Sequence, residues 1–184
     1  MNKLKRIFLL NGEPEIGKTT VITRTIALVR TEGYMVGGVI SREKRSEGQR
    51  EGFEQIDLAT ENRGILASIK LKTGPRVGRY RVNLRDIAEV GAKSLEYATK
   101  NSDLIVCDEI GPMEILSPEF KRAIKSSLES GKPFLGVVHM GIKDSLLDFL
   151  KSSPLVDISE VVGENRSQLP RSISYKIISI LGSR

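Results

Sequence analysis

Short apolar runs alternate along this chain with longer segments whose apolar residues recur every three to four positions. Ile7 to Leu10, Val36 to Ser41, Leu104 to Val106, Pro133 to His139 and Val156 to Val161 are brief and bounded by turn residues, which predicts buried strands. Lys18 to Arg30 carries Ile22, Ile26 and Val29 on one helical face, with Gly33 as a left-handed stop. Asn83 caps a second predicted helix that runs to about Lys100, with Ile87, Val90, Leu95 and Ala98 inward. Ser117 is the cap of a third, Pro118 its first-turn residue and Glu119 a charge suited to the positive end of the dipole. Phe120, Ile124 and Leu128 then repeat every four residues until Gly131. Ile142 to Lys151, with Leu146 and Leu150 inward, and Pro170 to Leu181, with Ile173, Ile177, Ile180 and Leu181, complete the set. Strands alternating with helices predict a three-layer α/β/α fold whose central sheet is mainly parallel and covered on both faces.

One stretch breaks the rhythm. Arg42 to Glu51 is charged and has no apolar residue. Phe53 to Leu58 alternates, and Gly64 to Ile69 is a further short apolar run. This predicts a β-hairpin insertion with a mobile basic tip. With no repeat, low-complexity run or dividing linker, residues 1–184 are expected to form one domain.

The chemistry begins at the end of the first strand. Gly12-Glu13-Pro14-Glu15-Ile16-Gly17-Lys18-Thr19 reads G-x-x-x-x-G-K-T between a strand and a helix, the setting of a phosphate-cradling P-loop. Successive backbone N–H groups and a helix N-terminus facing one point make an anion site. Gly12, Glu13, Pro14, Glu15, Ile16, Gly17, Lys18, Thr19 and Thr20 are thus the expected nucleotide-binding segment, with Lys18 on the β- and γ-phosphates and the Thr19 hydroxyl on Mg²⁺. A second strand, Leu104 to Cys107, ends in Asp108-Glu109, at the edge where open α/β sheets place ligands. Asp108 suits a Mg²⁺-holding carboxylate, partly through water, and Glu109 a group that orients or deprotonates an attacking water.

Three further positions are ambiguous from residues alone. His139, the only histidine, ends its strand either as a polar sensor near the γ-phosphate or as a strand-end residue without a role. Arg76, Arg79 and Arg81 lie in an expected loop, either to stabilise charge on a transferring phosphoryl group or simply as a solvated basic segment. Asn165-Arg166 lies past the final strand, where Arg166 stacks on a base or forms part of an exposed loop.

The formal charge of +6 permits polyanionic partners, and nucleotide phosphates satisfy it as well as nucleic acid does. No tryptophan and few aromatics leave no stacking platform, so nucleic acid is not expected. One cysteine, Cys107, precludes an internal disulfide and reads as a small core residue. No segment approaches the ~18 apolar residues that span a membrane. The basic stretch Met1 to Arg6 lacks a signal-peptide layout, and a cytoplasmic, monomeric protein is the default expectation.

With these pieces assembled, the chain resembles the THEP1-type nucleoside-triphosphatases over nearly its whole length. The P-loop resembles the family's G-x-P-G-x-G-K-T-T, and Asp108-Glu109-Ile110-Gly111-Pro112-Met113-Glu114 its extended D-E-I-G-x-M-E. Arg76-Val77-Gly78-Arg79-Tyr80-Arg81-Val82-Asn83 is similar to R-V-G-x-Y-x-V-N, and Asn165-Arg166 with Leu169-Pro170 to N-R-x-x-L-P. The resemblance implies slow Mg²⁺-dependent hydrolysis of ATP, GTP and other NTPs to NDP and phosphate. By resemblance the Arg76 and Arg166 segments become expected active-site contributors, so the expected catalytic set is Lys18, Glu109, Arg76 and His139, with Thr19 and Asp108 on the metal and Asn165 and Arg166 in the nucleotide site. Glu15 departs from the pattern, standing where the family usually has glycine; it bears on turnover and affinity rather than on fold. The rival enzyme class is a nucleotide, small-molecule or polynucleotide kinase using the same loop. A guanine-specific switch is disfavoured, because Asn165-Arg166-Ser167-Gln168 is not the N-K-x-D guanine-reading tetrapeptide.

Overall fold

The computed structural model describes residues 4–183; Met1 to Lys3 of the basic N-terminal run and Arg184 lie outside them. Five strands form the parallel part of the sheet: β1 (Ile7–Asn11), β2 (Val36–Ser46), β7 (Leu104–Ile110) and β8 (Phe134–Val138), with apolar residues on both faces, and the edge strand β9 (Val156–Glu160), apolar on one. They pair in the order β2-β7-β8-β1-β9, all parallel. Period-two alternation sends Ile7, Leu9, Ile105, Cys107, Phe134 and Val138 into one core and Phe8, Leu10, Leu104, Val106, Leu135 and Val137 into the other.

Helices α1 (Lys18–Thr31) and α6 (Leu169–Gly182) cover the second core. Ile22, Ile26 and Val29 of α1, and Ile173, Ile177, Ile180 and Leu181 of α6, are buried there, the faces that the periodicity predicts. Helices α3 (Lys93–Asn101), α4 (Pro118–Glu129) and α5 (Ser145–Ser152) cover the first. The Ser117 hydroxyl accepts from Phe120 N at 3.2 Å, and Pro118 starts α4 as expected. The fifth helix begins three residues later than the sequence suggests. Asp144 caps it by accepting from Leu146 N at 2.9 Å, and Leu147 rather than Leu146 is fully buried beside Leu150.

The expectation of a mainly parallel sheet fails. The insertion does not stand apart; it continues the same sheet as β3 (Gln49–Asp57), β4 (Arg63–Ser68), β6 (Tyr80–Val82) and β5 (Arg76–Val77), every pairing antiparallel. The nine-stranded sheet is therefore mixed. The cause lies at the basic tip. Glu47 at φ 49° and Gly48 at φ 78° form a two-residue turn with both central φ values positive, whose twist matches that of paired strands. Both strands accordingly run to the turn, so the tip is a paired ribbon rather than an open loop. Arg76 to Arg81 is likewise a small hairpin turning at Gly78 (φ 58°), not a loop.

Asn83 caps the segment behind this sheet, its Oδ1 accepting from Asp86 N at 3.1 Å. The short α2 (Leu84–Asp86) leads through one wide π-helical turn, Ile87–Ala92, into α3. Gly91 in that turn packs so closely that a Cβ would stand 2.6 Å from Gln55 Oε1 and 3.1 Å from the Phe120 ring. Val90 is consequently only half-buried. No helix among the described residues is long and apolar enough to cross a membrane.

Candidate functional site

Because β1, β7, β8 and β9 are parallel, their carboxyl ends lie along one edge of the sheet. The loop after β1, the acids of β7, His139 after β8 and Asn165-Arg166 after β9 therefore share that edge. In the loop, Gly12 (φ 140°), Glu15 (φ 63°) and Gly17 (φ 111°) alternate with ordinary backbone, a conformation that turns successive N–H groups toward one concavity. Gly12 is also fixed by space, since a Cβ there would lie 2.7 Å from Val161 O. Lys18 Nζ spans the loop, donating to Gly12 O and Glu13 O at 2.8 Å each. Its charge is thus held over the place where the amides converge. Thr20 is exposed on the first turn of α1, and Glu13 and Pro14 are exposed on the loop.

The β7–β8 ladder shifts register between Cys107 and Ile110, which frees the two acids from pairing with β8, while Asp108 still stands opposite Ile40 on β2. The Asp108–Glu109 peptide is cis. Asp108 is 3% exposed, and burial pushes its pKa up to about 7 against the pull of a Thr19 hydrogen bond and the Lys18 charge. Its Oδ2 is buried with no hydrogen-bond partner among the described residues. A buried carboxylate oxygen left over beside a threonine hydroxyl is a hard oxygen donor set, which fits Mg²⁺. Among the described residues no three His, Cys, Asp or Glu side chains gather to hold a metal unaided. Such an ion would complete its shell with water and phosphate oxygens, as Mg²⁺ does.

Burial also raises the pKa of Glu109, opposed by Lys18 and His139. His139 is exposed, its backbone N–H donating to Ile110 O at 3.1 Å, and its ring is near enough to Glu109 to act on it. Sequence reasoning did not single out Glu114. It is 3% exposed, and burial, reinforced by Glu109, pushes its pKa up to about 8. The two carboxyl groups flank Gly111, where a Cβ would lie 2.6 Å from Glu109 Oε1 and 2.7 Å from Glu114 Oε2. The only available signal was the Gly111-Pro112-Met113-Glu114 extension of the strand motif. Cys107 is fully buried, and burial raises its pKa well above the ordinary thiol value, so it is a core residue as expected.

Arg166 crosses the loop: its Nη1 donates to Ile16 O at 3.4 Å, and its Cδ would lie 3.8 Å from a Cβ on Gly17. Asn165 is turned elsewhere. Its Oδ1 accepts from Val162 N at 3.0 Å and its Nδ2 donates to Glu160 O at 2.8 Å, so the side chain shapes the turn that presents Arg166. Arg76 is not brought to the loop; it is exposed on β5 opposite Arg81. From the insertion it is Arg50 on β3 that reaches the loop, its Nη2 2.7 Å from Glu15 Oε1.

The NTPase family model matches residues 7–174. The chain is 40% identical over 174 residues to nucleoside-triphosphatase THEP1 of Methanosarcina acetivorans, covering 94% of this chain and 97% of that one. It is 42% identical over 168 residues to the protein of that name from Methanosarcina barkeri, covering 91% and 94%. Among solved structures it is similar to a human cancer-related nucleoside triphosphatase, with a TM-score of 0.78 and 30% identity over 98% of this chain and 99% of that one. A family match across the span that holds every loop described above, with relatives aligned almost end to end, places the chain in the THEP1 nucleoside-triphosphatase family, and it is a nucleoside-triphosphate hydrolase.

Proposed function

We propose that this single-domain, monomeric chain is a Mg²⁺-dependent NTPase with loose base preference, working in the cytoplasm. The observation that carries the reading is the convergence of Lys18, the Thr19–Asp108 pair and Glu109 on one amide-lined loop. Amides of residues 12–20 and Lys18 bind the phosphates. Thr19 and Asp108 would hold Mg²⁺, which would supply positive charge to offset that of the phosphates. Glu109 accepts a hydrogen bond from a water and takes its proton as the oxygen attacks the γ-phosphorus. The bond from that phosphorus to the β–γ bridging oxygen breaks, giving NDP and phosphate. Burial raises the basicity of Glu109, which favours its role as a proton acceptor. His139 adjusts that basicity through its charge. Arg166 offers a planar guanidinium that stacks on any base, which supports a broad substrate range. Arg76 would need hairpin movement to reach a phosphate and is the weakest member of the predicted set.

The test is phosphate release from ATP, GTP, CTP and UTP with Mg²⁺ or EDTA, with nucleosides, nucleotides and polynucleotide ends added as acceptors. Slow Mg²⁺-dependent release from several NTPs, unaffected by acceptors, is the expected result. Transfer of γ-label to an acceptor would make the site a kinase site instead.

A further inference from the structure

Glu15 brings a carboxylate to the middle of a loop built to bind anions. Its side chain is 70% exposed, yet it is engaged. Arg50 donates to its Oε1 at 2.7 Å, and Arg45 Nη2 lies 3.9 Å from the same oxygen. Arg50 is more constrained than a surface arginine. Glu43 pairs with it from the neighbouring strand, its guanidinium carbon lies 5.7 Å from the Phe53 ring centre, and Arg79 donates to its carbonyl at 2.7 Å. Phe53 is itself held edge-on by Tyr80, ring centres 5.2 Å apart. Arg50 Nε is buried and has no partner among the described residues. A partly satisfied guanidinium, aimed by two hairpins, thus stands one side chain away from the phosphate cradle.

We propose that Arg50 is a catalytic arginine supplied in cis, which leaves Glu15 to contact the terminal phosphoryl group of a bound nucleoside triphosphate. The proposal rests on the NTP-binding reading of the same loop. An exposed ion pair contributes little against solvent, so Glu15 holds Arg50 weakly. A triphosphate brings several negative charges and terminal oxygens that match the guanidinium fork. Arg45, held by Glu43 at 2.6 Å, stays within 3.9 Å of the Glu15 carboxylate when Arg50 departs and offsets part of its charge. In the transition state, charge spreads over the terminal phosphoryl oxygens, where an arginine stabilises it. Glu15 then has a use that glycine at the same position lacks: it keeps the arginine beside the loop between turnovers.

The experiment compares wild type, Arg50→Ala and Arg50→Lys by calorimetric binding of ADP and of a β,γ-imido ATP analogue with Mg²⁺, alongside phosphate release. ADP binding reports the intact loop and a folded chain. Arg50→Ala should keep ADP affinity within about twofold, weaken the analogue about tenfold and lower turnover by ~10²-fold or more. Arg50→Lys should recover only part of the loss, because an ammonium lacks the planar fork. Turnover of Arg50→Ala within threefold of wild type would overturn the proposal. So would an equal loss of ADP and analogue affinity, which would mean that the hairpin merely shapes the loop. If wild type itself releases no phosphate, the hydrolysis reading fails, and the preference for analogue over ADP still decides the role of Arg50.

Discussion

Replacing Asp108 by asparagine should strengthen the fold while removing the metal-holding charge. The carboxylate is 3% exposed and has a pKa of about 7 in the folded chain against an ordinary 3.8. Between those values the folded state keeps a proton that the unfolded chain has released. Because the folded pKa is the raised one, the stabilisation is fully present below about pH 4 and is lost as pH rises through 7. From pH 5 to 8 the loss spans about two pH units of proton uptake at ~1.4 kcal/mol each, or about 3 kcal/mol. Asparagine cannot ionise, and its amide oxygen still accepts from the Thr19 hydroxyl. The melting temperature of Asp108→Asn minus that of wild type should therefore grow by roughly 6–12 °C from pH 5 to pH 8 in EDTA, at 2–4 °C per kcal/mol for a chain of this size. Glu109 and Glu114 titrate in both proteins, so the difference isolates Asp108 to first order. Mg²⁺ with nucleotide should then raise the melting temperature of wild type more than that of the variant. A difference that does not change with pH, or a variant less stable than wild type at pH 8, would refute the claim that burial controls this carboxylate.

Glu109→Gln should bind NTP normally and turn over ~10²-fold or more slowly in a phosphate-release assay; near-normal turnover would remove Glu109 from the mechanism. Lys18→Ala should weaken triphosphate binding itself, measured by calorimetry, and an unchanged affinity would contradict the cradle. Gly91→Ala should cost about 1–3 kcal/mol in denaturant unfolding, because its Cβ meets Gln55 and Phe120 at 2.6 and 3.1 Å. An unshifted midpoint would mean that the π-helical turn relaxes freely.

Much of the molecule was legible because its determinants are local. The buried strands, the caps at Asn83 and Ser117, and the apolar faces of α1, α4 and α6 each follow from residues within a few positions of one another. The same holds for the loop of residues 12–19, where Gly12, Gly17 and a helix start fix the amides. The acids at 108 and 109 were readable because a parallel strand can end only at the sheet edge that carries the loop. The antiparallel strands of the insertion were legible too, but not that they extend the central sheet, nor that the basic tip and residues 76–81 are paired. The insertion's charged strands bear few apolar residues to mark burial, and the short Arg76–Arg81 hairpin gives too brief a pattern to separate strand from loop.

The contact between Glu15 and Arg50 was hidden for a stricter reason: it depends on register. Along β2 and β3, Glu43 stands opposite Phe53 and Lys44 opposite Gly52, but Arg45 stands opposite Arg50. Glu51 is therefore an extra residue, a bulge at which two residues face one. In an unbroken ladder Glu51 would stand opposite Arg45, and Arg50 would fall one position nearer the turn, with its side chain on the other face. The bulge instead sets Arg50 across from Arg45 and on the side of Glu43 and Phe53, the contacts that aim it at the loop. Composition and spacing leave such a bulge unmarked, since Glu51 is as ordinary in a charged strand as its neighbours. A basic run in an insertion thus carries no direction until the pairing is known, whereas a glycine-rich loop carries its geometry in its own sequence. The conspicuous arginine motif at 76–81 accordingly supports Arg50 through Arg79 and Tyr80, and the insertion's arginine beside the loop comes from a stretch that reads as a solvated tip.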